Sequence, residues 1–145
     1  EDIAPFPVQG QTQSLQEVWK DRAQAYKGAT VAGFPNLFIL VGPNTALGHN
    51  SMIYMIESQV EYVLDAVKKM TKNRWKTVDV RPEAQRVYND ELQKTLDGTV
   101  WESGCVSWYR TKDGKNTTIW PDFTFKFRAL TREFDEDAYH VERAK

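Results

Sequence analysis

The run Asn36-Leu37-Phe38-Ile39-Leu40-Val41-Gly42 constrains the fold more than any other stretch of the chain. Successive side chains of a strand point to opposite faces, so consecutive apolar residues without alternation do not suit a strand with one wet side. The run predicts a strand covered on both faces, the kind found inside a parallel sheet. It ends at Gly42-Pro43, and Asn44-Thr45-Ala46-Leu47-Gly48-His49 leads on to Asn50 or Ser51, either of which can cap a helix. Met52, Ile56, Val60, Val63, Val67 and Met70 then recur at helical spacing, with Ile53, Met55 and Leu64 widening the stripe, which predicts a mostly buried helix. A helix that starts beyond such a loop directs free N–H groups and a positive dipole end at whatever lies there. That end suits an anion or a partly negative oxygen, although an ordinary βα connection without a ligand has the same pattern and is commoner.

The flanking segments extend this unit into an α/β to α+β chain. Pro5, Pro7 and Gly10 predict an irregular entry, and Ser14 can cap a short helix over Leu15 to Arg22 that carries Val18 and Trp19. Gly28, Gly33 and Pro35 punctuate the approach to the apolar run. After the long helix, Val78 and Val80 alternate with Thr77 and Asp79 as a short strand, and Pro82 opens a second helix with the face Ala84, Tyr88, Leu92 and Leu96, ended at Gly98. Aromatics crowd in beyond it: Trp101, Trp108, Tyr109, Trp120, Phe123, Phe125 and Phe127. Asp113-Gly114, between Trp108-Tyr109-Arg110 and Thr117-Thr118-Ile119, is a hairpin signal. Phe123 to Phe134 fits two periods. Phe123-Phe125-Phe127 alternates as in a strand, but Phe127, Leu130 and Phe134 keep helical spacing, and helix is the preferred reading.

At 145 residues and 41% hydrophobic content the chain can bury a core. Its 19 basic and 20 acidic side chains nearly balance, which disfavours nucleic acid and an anionic membrane as partners. No apolar run approaches the roughly 20 residues needed to span a bilayer. The lone cysteine, Cys105, cannot form an internal disulfide, and no basic-then-apolar leader is present, so a cytoplasmic location is expected. A start at Glu1-Asp2-Ile3-Ala4-Pro5 leads to the further expectation of a piece of a longer chain. His49, His140 and Cys105 make no zinc set; His140, among charges, is expected to be solvated, and Cys105 to be an inert thiol. Ser51 and His49 lack the Gly-x-Ser-x-Gly elbow of a hydrolase, and no P-loop or Gly-x-Gly occurs.

The residue pattern is more specific than these physical cues. Gly33-Phe34-Pro35-Asn36-Leu37-Phe38, Gly42-Pro43-Asn44 and Gly48-His49-Asn50-Ser51, with Glu57 and Gln59 down the helix, resemble a stretch near the end of the flavoprotein Baeyer–Villiger monooxygenases. The resemblance continues through Ser14-Leu15 and Trp19, Gly98-Thr99-Val100-Trp101, Cys105-Val106-Ser107-Trp108-Tyr109 and Trp120-Pro121, so nearly the whole chain is covered. It implies a parent enzyme that uses FAD, NADPH and O₂ to insert one oxygen beside a ketone carbonyl, giving an ester or lactone. Residues 1–74 would be the C-terminal end of a Rossmann-like FAD-binding domain, finishing in its terminal strand–loop–helix. Residues 75–145 would be a helical and hairpin C-terminal extension.

By the same resemblance Gly42, Pro43, Asn44, Asn50, Ser51 and Met52 bind cofactor. Backbone donors at Asn50, Ser51 and Met52 face the pyrimidine edge of the flavin, where reduced flavin carries negative charge. Leu47 and His49, with Gly48 between them, border the ketone pocket, and Trp108 contacts the nicotinamide side of NADP. Both dinucleotide fingerprints, the family's Phe-x-Gly-x-x-x-His-x-x-x-Trp-Pro signature and its active-site arginine belong upstream, so no catalytic residue is assigned here. The implied partners are the missing N-terminal FAD and NADPH domains and a small ketone. The alternative is a non-catalytic binding or dimerisation module derived from such a protein, which would expose the apolar surfaces that normally meet those domains. Under either reading a homodimer of the piece is expected, because the strand Leu37 to Val41 would have lost its parallel neighbours.

Overall fold

The computed structural model describes residues 6–47, 51–97, 111 and 114–144. The first helix, α1 (Leu15–Val18), is nucleated by a capping box: the Glu17 N–H donates to Ser14 Oγ at 3.3 Å and the Ser14 N–H to Glu17 Oε2 at 2.7 Å. It is shorter than the expected Leu15 to Arg22 because Trp19 turns into the core and donates its indole N–H to the Gln24 carbonyl at 2.9 Å.

The apolar run Leu37 to Val41 is not a strand, which corrects the expectation drawn from its composition. Its N–H groups find scattered partners: Ile39 donates to the Ala29 carbonyl and Val41 to Gln59 Oε1, each at 2.8 Å. Positive φ at Asn36 (60°) and Val41 (59°) bends both ends out of the extended region, and Leu40 and Val41 remain 46% and 45% exposed. A strand is defined by its neighbours, and no described residue forms a ladder along this one.

The long helix α2 (Met52–Asn73) forms as expected and is closed by Arg74 in the left-handed conformation, φ 56°. Its buried face differs from the expected one. Met55, Ser58, Gln59, Tyr62 and Ala66 are covered, whereas Ile53, Leu64 and Val67 are 66%, 51% and 48% exposed. The face that carries Gln59 and Tyr62 is held inward by hydrogen bonds to loops, and the apolar stripe beside it lies open.

Strand β1 (Trp75–Val80) pairs antiparallel with β2 (Tyr139–Arg143), in register Val78↔Val141 and Val80↔Tyr139. Helix α3 (Pro82–Leu96) starts with proline in its first turn and buries Leu92 and Leu96. The segment with two periods resolves as helix α4 (Thr124–Thr131), which buries Phe127 and Thr131 and leaves Phe123 and Phe125 stacked on each other in solvent. Thr111 N–H donates to the Lys115 carbonyl and Gly114 N–H to that of Thr111, each at 2.9 Å, with Gly114 at φ 80°. Trp108-Tyr109-Arg110 and Gly98 lie outside the described residues, and Thr117–Ile119 pairs with the loop before α2.

Three clusters make the core. Tyr26, Ala29, Tyr62, Ala66, Val78, Val80, Phe134 and Tyr139 join α2 to the two-stranded sheet; Leu15, Trp19, Val31 and Phe34 close over α1; Met55, Leu92, Leu96, Trp120 and Phe127 sit between α2, α3 and α4. No described helix is long and apolar enough to cross a membrane.

Candidate functional site

The loop that leads to α2 lies directly over a tight turn. Lys27 and Gly28 take φ 51° and 63° and are closed by the Ala29 N–H on the Tyr26 carbonyl at 2.9 Å, a turn of the type that needs positive φ at both central positions, with the Tyr26 N–H on the Thr30 carbonyl at 2.8 Å just outside it. A Cβ built on Gly42 would sit 2.2 Å from the Gly28 carbonyl oxygen, so the two backbones touch where only hydrogen fits. Gly42→Ala is therefore expected to cost about 2–3 kcal/mol, because the obstacle is backbone that cannot rotate away. A denaturant midpoint matching the parent's would contradict that contact.

From Gly42 onward the loop is tied to residues 116–120. Asn44 N–H donates to the Thr117 carbonyl, Ala46 N–H to that of Thr118, and Trp120 N–H to that of Ala46, each at 2.9 Å. The Asn44 carboxamide donates to the Asn116 and Ile119 carbonyls at 2.8 and 3.0 Å, and Thr45 Oγ1 donates to the Gly42 carbonyl at 2.7 Å. Pro43, Asn44 and Thr45 are buried by these ties. Leu47 and Met52 converge on the Met55–Leu92–Trp120 cluster. Ser51 precedes α2 without a side-chain capping bond of its own, and no acidic residue occupies the first turn. Of the expected site residues, Gly42, Pro43, Asn44, Leu47, Ser51 and Met52 thus lie along one loop and helix start, while Gly48, His49, Asn50 and Trp108 lie outside the described residues.

Sequence reasoning missed a polar cluster beneath the turn. Asp135 accepts from Lys27 Nζ at 2.8 Å, from the Tyr62 hydroxyl at 2.7 Å and from the Tyr26 hydroxyl. The Tyr139 hydroxyl pairs with those of Tyr62 and Thr30, both at 2.9 Å, and Lys27 Nζ also lies 4.9 Å from the Tyr62 ring centre. Burial alone would raise the Asp135 carboxyl, but the Lys27 ammonium and the two tyrosine hydroxyls outweigh it and hold the group below the ordinary carboxylate range. Burial wins at Lys27, whose ammonium is pushed below its usual value despite Asp135. Burial also raises Tyr26, Tyr62 and Tyr139, which stay neutral and act as donors.

No family profile matches the chain. Its fold is that of the C-terminal region of cyclohexanone and steroid monooxygenase structures. The NADP⁺-bound crystal structure of cyclohexanone monooxygenase from a Rhodococcus species superimposes with a TM-score of 0.80 over 96% of this chain and 27% of that one, at 21% identity. The chain is homologous to part of the Baeyer–Villiger monooxygenases. It is 55% identical over 129 residues to the one of Pseudomonas aeruginosa (88% of this chain, 24% of that protein) and 43% identical over 143 residues to the one of Streptomyces coelicolor (97% and 28%). It spans about a quarter of the curated relatives it matches.

Proposed function

We propose that this chain is the C-terminal part of an FAD- and NADPH-dependent monooxygenase that inserts an oxygen atom next to a ketone carbonyl, and that it is inactive without the rest of that enzyme. The observation that carries this reading is the 55% identity over 129 residues to a Baeyer–Villiger monooxygenase. The geometry agrees with it: an acid-free helix start, reached through a loop pinned on both sides, suits the negative edge of a reduced flavin. FAD, when bound, passes reducing equivalents from NADPH to O₂. The chain's own part is to orient and enclose: Gly42, Pro43 and Asn44 shape the loop, N–H groups at Asn50, Ser51 and Met52 donate to the flavin edge, Leu47 and His49 border the ketone, and Trp108 lies against the nicotinamide. The division at residues 74/75 belongs to the same proposal, with one core cluster drawing on both sides of it. So does a cytoplasmic setting.

The test is the longer protein that carries this chain, purified with its flavin and supplied with NADPH and a panel of aryl, cyclic and steroid-like ketones. An ester or lactone one oxygen heavier than a ketone is expected; NADPH consumption without oxygenated product from any of them would overturn the reading. In that protein Trp108→Ala should raise the NADPH requirement about tenfold to a hundredfold with FAD content intact, since a flat apolar face and one N–H donor are worth roughly 1–3 kcal/mol when desolvated. Unchanged NADPH kinetics with a large fall in melting temperature would make Trp108 a packing residue.

A second reading is favoured by one observation. Leu40, Val41, Ile53, Leu64 and Val67 are all exposed. Under the first reading these side chains meet the FAD and NADPH domains; under the second, the chain is a binding module whose apolar surface pairs with another copy. Sedimentation of the chain across micromolar concentrations tests the pairing, a clean monomer rejecting the homodimer.

A further inference from the structure

We propose that Gln59 is the positioning residue that sets the cofactor loop against α2, an inference that rests on the function proposed above. Gln59 lies on the inward face of α2 and is fully buried, so it acts through the backbone it holds. Its carboxamide is used in both directions. Oε1 accepts the Val41 N–H at 2.8 Å, while Nε2 donates to the Gly28 carbonyl at 2.9 Å and to that of Lys27 at 3.4 Å. One side chain therefore grips both backbones that meet at the Gly28–Gly42 contact and holds them on the helix whose start faces the cofactor.

The grip falls on a conformation that does not hold itself. Val41 has φ 59°, a left-handed backbone that a β-branched residue rarely adopts, and its side chain is 45% exposed, so packing does little to enforce it. The hydrogen bond from its N–H to Gln59 is the local contact that does. Beyond Val41, the Asn44 and Ala46 ties to residues 116–120 anchor the far end of the loop. Gln59 supplies the near end, and residues 42–47 hang between the two. An asparagine side chain is one methylene too short to span the same three partners.

The experiment uses the longer flavoprotein and three variants: Gln59→Met, which keeps the volume and removes the amide; Val41→Gly, which relieves the left-handed strain; and the two combined. Gln59→Met is expected to speed amide exchange at Val41 by about tenfold and to weaken FAD binding by about tenfold, with a shifted flavin absorption maximum. Val41→Gly alone should leave flavin binding near the parent's, and the double variant should regain most of the lost affinity, because glycine adopts the positive φ unaided. Gln59→Glu, which keeps an oxygen for the Val41 N–H, should retain more of the Val41 protection than Gln59→Met. Parental exchange and spectrum in Gln59→Met, or a double variant no better than Gln59→Met, overturns the positioning role. A parent that holds no FAD overturns the functional reading instead, and the exchange rate at Val41 then still decides the clamp.

Discussion

Asp135→Asn is expected to lower the melting temperature by roughly 5–12 °C at neutral pH. The Lys27 side chain is only 5% exposed, and Asp135, at 38%, is its sole ion-pair partner among the described residues. Removing the carboxylate leaves a buried ammonium facing the rings of Tyr26 and Tyr62 with no counter-charge; breaking a fully buried pair this way costs about 3–5 kcal/mol, and the partial exposure of Asp135 brings the expectation to about 2–4. Lys27→Met should cost much less. It leaves Asp135 half-exposed with two hydroxyl donors and fills the space with apolar atoms. The pH response has a definite sign. The folded Asp135 carboxyl lies below its ordinary 3.8, so its stabilisation is present above that value and is lost as pH falls further. In Asp135→Asn the depressed Lys27 dominates: the unfolded chain binds the extra proton, and stability should rise as pH climbs toward the ordinary 10.5 of lysine. Equal melting of parent and Asp135→Asn across pH 6 to 10 would remove the ion pair from the account of this core.

The second large effect concerns the chain by itself, which should emerge from gel filtration without flavin. The adenine and pyrophosphate of FAD are gripped by a glycine-rich strand–helix turn, and this sequence contains no Gly-x-Gly. What it offers is one helix start, worth about 0.3–1 kcal/mol toward a negative group, up to about 2 in a sheltered geometry. Micromolar retention needs about 8 kcal/mol. The affinity should therefore fall at least a thousandfold short of that needed to co-elute. Flavin absorbance travelling with the protein peak would show that residues 42–52 bind more than the edge of the ring.

How much of this was legible beforehand follows from which forces are local. Helices α2, α3 and α4 and strand β1 were visible because their side-chain periods and end signals, such as Pro82, act within a few residues. The run Leu37–Val41 misled because its composition reports an environment of neighbouring strands, and the described chain supplies none. The buried face of α2 was misplaced for a related reason: Ile53, Leu64 and Val67 are apolar, yet the inward side is set by Gln59 and Tyr62, polar residues that reach partners far along the chain. Strand β2 was hidden by His140, Glu142 and Arg143, which mark an exposed edge. The loop from Gly42 was singled out by its residue pattern, and its role stands as a proposal. The Lys27–Asp135 cluster gave no signal, since its members lie 108 positions apart with no spacing to connect them.

That separation also has a consequence for how the protein is made. The turn at Lys27 cannot satisfy its charge, nor Thr30 its hydroxyl contact with Tyr139 across 109 positions, until the second partner has left the ribosome. At about 5–20 residues per second the wait is on the order of 5–20 s. Throughout that interval Tyr26 and Lys27 stand without Asp135, joined for the last 73 positions by Tyr62, and α2 has only part of its inward face covered. Folding around this turn thus waits for Asp135 and Tyr139 to be made, and the nascent chain depends on whatever shields those side chains in the meantime.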